Sequence, residues 1–412
     1  MGEENLSMLR YYKRRVVQLK KMLNELNPEA TDLRPLAQIQ DYLIDRVVDT
    51  ETKVSKQQAL RKSLKSELKK KGASKEQSAE IKEQIASCDA RISGYKFLLY
   101  VWRCFGDGIA NKYVSKWNLK RLFYAHDSAE MKQAPGYLGG KKGIRAERHL
   151  MQEALSYNVP ALLCDLTNII RHGDVCLLGA SDPFVIEVKS STNRNKRIER
   201  QMLAISTIHE YLENDVGNVG GVPGMRRQSL PVEERHHNSA INHVAAEAAN
   251  GRPSRISPEE GLFYIGVPAQ NSADYDELFE GIEEPILFML NHDKTEQLWG
   301  NYYPFTLSLL EPETLYAFLS GAIYLLVLIS RPSLHVRAGA ACFDLNVVMA
   351  NNVGFELLNR ESSFNKEVPY VVSEHFVGRL AFEFLSLDWF FESERLMIND
   401  MEEQMKRESE NA

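Results

Sequence analysis

Apolar residues at Leu36, Ile39, Leu43, Val47, Val54, Leu64 and Leu68 recur with a helical period, interrupted at Thr50, Gln57 and Arg61. A second set, Ile81, Ile85, Cys88, Ile92, Tyr95, Leu99 and Trp102, alternates steps of four and three, which is a heptad seam. Between them, Lys69-Lys70-Lys71-Gly72 marks a helix C-terminus and Ser74-Lys-Glu-Gln77 is a capping box. The pattern predicts two long antiparallel helices, preceded by a basic helix over Leu6 to Asn27. The seam can be buried against a second copy or a partner protein, or against the body of the same chain, and the spacing alone allows either.

Past Phe105 the pattern shortens. Gly136 to Gly143 is a Gly-rich basic loop carrying Lys141 and Lys142, and it leads into an amphipathic helix over Ile144 to Tyr157. Glu147 falls within that helix's apolar stripe, and Glu153 on its polar side. A carboxylate in an apolar stripe is costly unless it is paired with a core arginine or binds a metal. Three runs of strand length follow: Ala161 to Thr167, Val175 to Leu178 and Phe184 to Lys189, the last two joined by the turn Gly179 to Pro183. A helix over Ile198 to Leu212 comes next, with Ile198, Met202, Ile205, Ile208, His209 and Leu212 as its buried stripe and Gln201 and Arg197 on or beside it. Leu262 to Val267 reads as a further strand.

Charge marks the ends of these strands. Glu187 and Lys189 sit two residues apart and so share a face, and the hairpin brings Asp174 beside Glu187. Two converging carboxylates form a hard-oxygen site suited to Mg²⁺ or Mn²⁺, with an ammonium near enough to hold a water. The alternative is a solvated hairpin end.

Gly173-Asp174, a short spacer and Glu187-Val188-Lys189 resemble the motif of the PD-(D/E)xK, or restriction-endonuclease-like, nuclease superfamily, with Gly173 where the family name has Pro. The resemblance runs over roughly Gly143 to Val267. It implies an α/β fold with an αβββαβ core and a metal held by Asp174, Glu187, the Val188 carbonyl and Glu147. Lys189 would position or deprotonate the attacking water, and Gln201 would stand near the site. Arg194, Arg197, Lys141 and Lys142 are the expected nucleic-acid contacts. The implied activity is Mg²⁺- or Mn²⁺-dependent hydrolysis of nucleic acid, DNA before RNA, in DNA processing or host defence. The rival expectation is an inactive nuclease-like scaffold that recruits partners, or a second copy, through its coiled-coil arm.

A formal charge of −6 over 412 residues excludes a chain that coats nucleic acid everywhere, so contacts should be confined to a local basic patch. The five cysteines lack C-x-x-C spacing, and the N-terminus lacks the apolar core of a signal peptide; both point to a cytoplasmic protein with free thiols. Thr314 to Ser330 is uncharged but shorter than the roughly 20 residues of a membrane span, and is expected to be a buried helix. His236, His237 and His243 have no cysteine or acid at zinc-ligand spacing. The expected organisation is a helical arm over 1–104, a core over 105–268 with an unstructured insertion at 214–260, and an α-rich domain over 269–412.

Overall fold

The computed structural model describes residues 8–70, 74–141, 143–188, 196–228, 230–270, 275–291, 299–300, 302–362 and 367–410. It is a mixed α/β protein with small antiparallel sheets and long N-terminal helices. The chain divides into two compact units, Met1–Arg227 with Thr295–Leu307, and Gln228–Lys294 with Ser308–Ala412. No helix among the described residues is long and apolar enough to cross a membrane.

The first unit begins with α1 (Lys13–Glu25), α2 (Arg34–Leu68) and α3 (Lys75–Tyr113). Ser74 and Gln77 form the capping box at the start of α3: each side chain accepts from the other residue's backbone N–H. The heptad seam is buried within the chain, where Leu64 of α2 meets Ile81 and Cys88 of α3, with Leu68 and Ile85 packed alongside. At the other end of the hairpin the helices become core. Leu98 to Ala110 of α3 is buried throughout, and Trp102 donates its indole N–H to Thr50 Oγ1 at 3.1 Å.

Against this base lie α4 (Ile144–Ser156) and a meander of three short strands, β1 (Ala161–Leu163), β2 (Val175–Leu177) and β3 (Phe184–Ile186), in the antiparallel order β1-β2-β3. Buried Gln40 of α2 completes the outer edge of β1, donating to the Ala161 carbonyl (2.8 Å) and accepting from Leu163 N–H (3.1 Å). Two polar groups of a strand edge that would otherwise be buried unpaired are satisfied by one amide. After β1 the chain makes a tight turn over Cys164–Leu166 that presses on α3 at Gly106, where any Cβ would lie 2.0 Å from the Leu166 carbonyl oxygen. Helix α5 (Lys196–Asn214) and a hairpin of β4 (Val216–Val219) and β5 (Val222–Arg226) follow.

Helix α5 is rotated from the expected phase. Ala204, Ile208, Tyr211 and Leu212 are buried, whereas Met202 is exposed, because the inward face runs through Gln201 and Ala204 and not through Met202. The Leu262 to Val267 run is a strand, but not the fourth strand of the β1-β2-β3 sheet. As β7 (Leu262–Pro268) it pairs with β6 (Ser254–Glu259) and with β9 (Ile323–Ser330) in the second unit, in a sheet of order β6-β7-β9-β8, where β8 is Pro285–Met289.

The described residues of 214–260 are structured, contrary to the composition-based expectation. They hold the β4-β5 hairpin, turned at Gly220 and Gly221 with positive φ, then helix α6 (Asn238–Ala249) and β6. The uncharged run from Thr314 is not one helix. It is α7 (Pro312–Leu319), a turn at Gly321 (φ 69°), and then the β-branched strand β9. The region expected to be α-rich also contains the sheet β10 (Phe343–Ala350), β11 (Val353–Asn359) and β12 (Tyr370–Ser373). Helices α8 (Arg331–Ala340), α9 (Glu374–Phe382) and α10 (Leu387–Glu410) complete it.

Candidate active site

Three acids from three elements converge on one ammonium. Lys141 Nζ lies 2.8 Å from Asp165 Oδ2, 2.8 Å from Asp174 Oδ1 and 3.0 Å from Glu147 Oε2. Glu147 comes from the first turn of α4, Asp165 from the turn after β1, and Asp174 from the residue that opens β2. Helix periodicity put Glu147 inward and Glu153 outward, and the structure has Glu147 buried and Glu153 exposed. Burial works against charge on Lys141, but Asp165 and then Asp174 overcome it and hold the ammonium above the ordinary lysine range. Burial raises the Glu147 carboxyl, and its hydrogen bond with Lys141 opposes that rise.

Asp174 is fixed on every side. Its second oxygen accepts from Val188 N–H at 2.8 Å, its N–H donates to the Ile186 carbonyl, and its own carbonyl accepts from Cys164 N–H. The preceding Gly173 has φ +70°, and a Cβ there would lie 3.1 Å from the Ile186 carbonyl oxygen. Proline, held near φ −65°, cannot adopt this turn.

The loop that carries Lys141 is held from the helical hairpin. Buried Glu51 of α2 accepts from Leu138 N–H (3.0 Å) and Gly139 N–H (2.7 Å). Buried Arg103 of α3 donates to the carbonyls of Gly136 (2.9 Å) and Asp165 (3.1 Å). Burial lifts the Glu51 carboxyl; the two backbone donors and the Arg103 charge pull it back. One turn deeper, Asp107 of α3 accepts from the N–H groups of Asn168 and Ile169 and from the Asn168 amide. Asp107 thereby sets the start of the segment leading to Asp174. Burial pushes its carboxyl up to about 7.

Glu187 is half-buried just beyond β3, and its charge bears on Lys132. Burial depresses Lys132, and Glu187 opposes that effect. Lys132 Nζ lies 3.1 Å from His172 Nδ1, and His172 Nε2 lies 2.9 Å from the Tyr124 carbonyl. An ammonium can only donate, so Nδ1 accepts and Nε2 carries the proton; burial, with Lys132 beside it, holds His172 neutral with a pKa of about 4. His209 of α5 stacks on Phe184 and accepts from Val185 N–H, which ties that helix to β3.

Of the residues expected at the site, Asp174, Glu147, Val188 and Lys141 are brought together, and Gln201 lies partly buried on the inward side of α5. Lys189, Lys142 and Arg194 lie outside the described residues, as does the side chain of Arg197. Sequence reasoning missed Asp165, whose signal was the same as for Glu187: an acid directly after an apolar strand. It also missed Lys132, His172 and the positioning groups Glu51 and Arg103.

The donor set suits a hard divalent cation in kind, since all three acids offer oxygen. Its spacing is that of an ammonium. The contacts of 2.8–3.0 Å exceed the roughly 2.1 Å of a Mg²⁺–oxygen bond, and among the described residues no group of three or more acids, histidines or cysteines is gathered as a chelating set. Comparison of the chain with protein-family models, curated proteins and solved structures gives no match.

Proposed function

We propose that the first unit is a metal-dependent nuclease of restriction-endonuclease-like design. The observation that carries this reading is the convergence of Glu147, Asp165 and Asp174 on a single cationic point at the ends of short antiparallel strands. The order of α4, β1, β2, β3 and α5 supports it as well, being the first five elements of the αβββαβ core that the motif implies.

On this reading Asp174, Asp165 and Glu147 would hold Mg²⁺ or Mn²⁺, with Glu187 and the Val188 carbonyl as the further ligands that the motif implies. A bound ion would supply Lewis-acid stabilisation of charge on the scissile phosphate and would acidify a water. The chain's own groups do the rest. Val188 N–H fixes the Asp174 carboxylate, Arg103 fixes the backbone of Asp165, and Glu51 fixes the Lys141 loop. Released from the acids, Lys141 becomes a donor for a phosphate oxygen, while Lys189 retains the water-positioning role that its place in the motif assigns.

The test is incubation of purified protein with plasmid, linear duplex DNA and RNA, in Mg²⁺, Mn²⁺ or EDTA. Cleavage that requires the divalent ion supports the reading. The second reading, an inactive nuclease-like scaffold, is favoured by one observation, the occupation of the point where the three acids converge by the Lys141 ammonium. No cleavage of any substrate with either ion selects it.

A further inference from the structure

The distal half of α2 carries a concentration of positive charge that the acidic chain shows in few other places. From Val54 to Lys70 the basic residues are Lys56, Arg61, Lys62, Lys65, Lys69 and Lys70, and the single acid is Glu67. Arg61, Lys62, Lys65 and Lys69, with Gln58 and Ser66, line an open groove of about 570 Å³ along the helix. Lys62, Lys65 and Lys69 stand three and four residues apart, so they form one stripe, and all three are exposed. Helix α3 beside it is balanced over its first half, with Glu76, Glu80, Glu83 and Asp89 set against Lys75, Lys82, Arg91 and Lys96. The positive side therefore belongs to α2, and among the described residues of the stripe Arg61 is the one tied across the hairpin, to Asp89 at 2.6 Å.

We infer that this stripe is a docking surface for the phosphate backbone of duplex nucleic acid. The inference rests on the nuclease reading for its biological sense, but on charge and geometry for its content. The stripe starts near the site, because Glu51 of the same helix grips the loop bearing Lys141. Eighteen residues separate Glu51 from Lys69, about 27 Å along an α-helix, or roughly eight base pairs of duplex. A continuous helix held at its base by Glu51 and Gln40, and buttressed by α3, keeps that offset constant.

The chemistry selects duplex over other polyanions. No aromatic residue occurs from Val54 to Lys70, so there is no platform on which unpaired bases could stack. An anionic membrane would call for an apolar face beside the charge. Of the apolar residues of this segment, Val54 and Leu64 are buried, Leu64 in the seam with Ile81 and Cys88, Leu68 packs on that seam, and Leu60 is the exposed leucine. What remains is cationic contact with backbone phosphates, independent of sequence.

The test is fluorescence-anisotropy titration of a 30-base-pair duplex in EDTA, over a range of salt, with full-length protein and with a Lys62→Glu/Lys65→Glu/Lys69→Glu variant. All three residues are exposed, and circular dichroism checks that the hairpin is retained. The expected result is a loss of affinity of roughly tenfold or more, and a salt dependence shallower by about three in log–log slope. Unchanged affinity and slope overturn the inference, as does tighter binding of a single strand of equal length. Sedimentation with phosphatidylserine–phosphatidylcholine vesicles that the protein binds while leaving duplex unbound also overturns it. Binding is read without divalent ion, so failure to cleave counts against the nuclease reading alone.

Discussion

Lys141 Nζ donates to Asp174 Oδ1 at 2.8 Å, so the acid that opens β2 is held by a cation from a loop preceding the whole sheet in sequence. The same ammonium reaches Asp165 and Glu147, which would otherwise repel one another in a partly buried setting. Lys141 thus occupies the focus of the acids, and a metal ion bound there would have to displace it. Replacing Lys141 by Met is expected to raise Mn²⁺ affinity by roughly tenfold or more, the scale on which neighbouring groups tune metal sites, and to lower the melting temperature in EDTA. Calorimetry giving the same affinity for both proteins would show that the ammonium does not compete for the site.

Glu147 and Glu153 lie on one helix, the first buried against Lys141 and the second exposed. Glu147→Gln keeps shape and removes charge, and is expected to lower the cleavage rate at saturating Mg²⁺ by up to about a hundredfold. Glu153→Gln should leave both rate and melting temperature nearly unchanged, within about 0.5 kcal/mol of stability. Equal rates for the two variants would remove Glu147 from the site.

Asp107 gives a pH signature. Burial raises its folded pKa from the ordinary 3.8 to about 7, so the folded chain holds this proton more tightly than the unfolded chain. Its stabilising contribution is therefore complete below about pH 4 and is lost as pH rises through 7. The difference in unfolding free energy between the parent and Asp107→Asn should shrink by up to about 4 kcal/mol from pH 4 to pH 8, in denaturant titrations. A difference that stays flat or grows over that range would contradict this.

Glu51 holds two backbone N–H groups of the Lys141 loop. Glu51→Leu leaves both without their acceptor and leaves Arg103 without its nearby carboxylate, at a cost of about 2–5 kcal/mol. Trypsin should then cut at Lys141 or Lys142 in the variant well before it cuts the parent there. Identical cleavage kinetics at that loop would mean that the hairpin does not hold it.

Much of this site was legible because the signals were local. A period of 3.6 turned Glu147 inward, a hairpin turn brought Asp174 to the end of the strand that leads into Glu187, and the Ser74 box fixed the start of α3. What was not legible depends on contacts distant in sequence. Glu51 falls between Val47 and Val54 on a helix whose pattern allowed either an arm or packing on the same chain, and nothing local says that it meets Gly139. Gln40 looks like an ordinary helix residue until β1 arrives beside it. The run from Thr314 to Ser330 misled because apolar length does not distinguish a buried helix from a helix followed by a buried strand; Gly321 was the clue. Leu262 to Val267 was recognisable as a strand, but which sheet it joins depends on β9, some sixty residues later.

The most direct measurement of the central claim is the rate of plasmid cleavage in Mg²⁺ by the parent protein and by Asp165→Ala and Asp174→Ala, each checked for folding by thermal melting. Metal-dependent cutting by the parent, and its loss by a factor of about a hundred or more in both folded variants, is the predicted result. A parent that cuts while either folded variant cuts equally well would contradict the assignment of the acids around Lys141 as the active site.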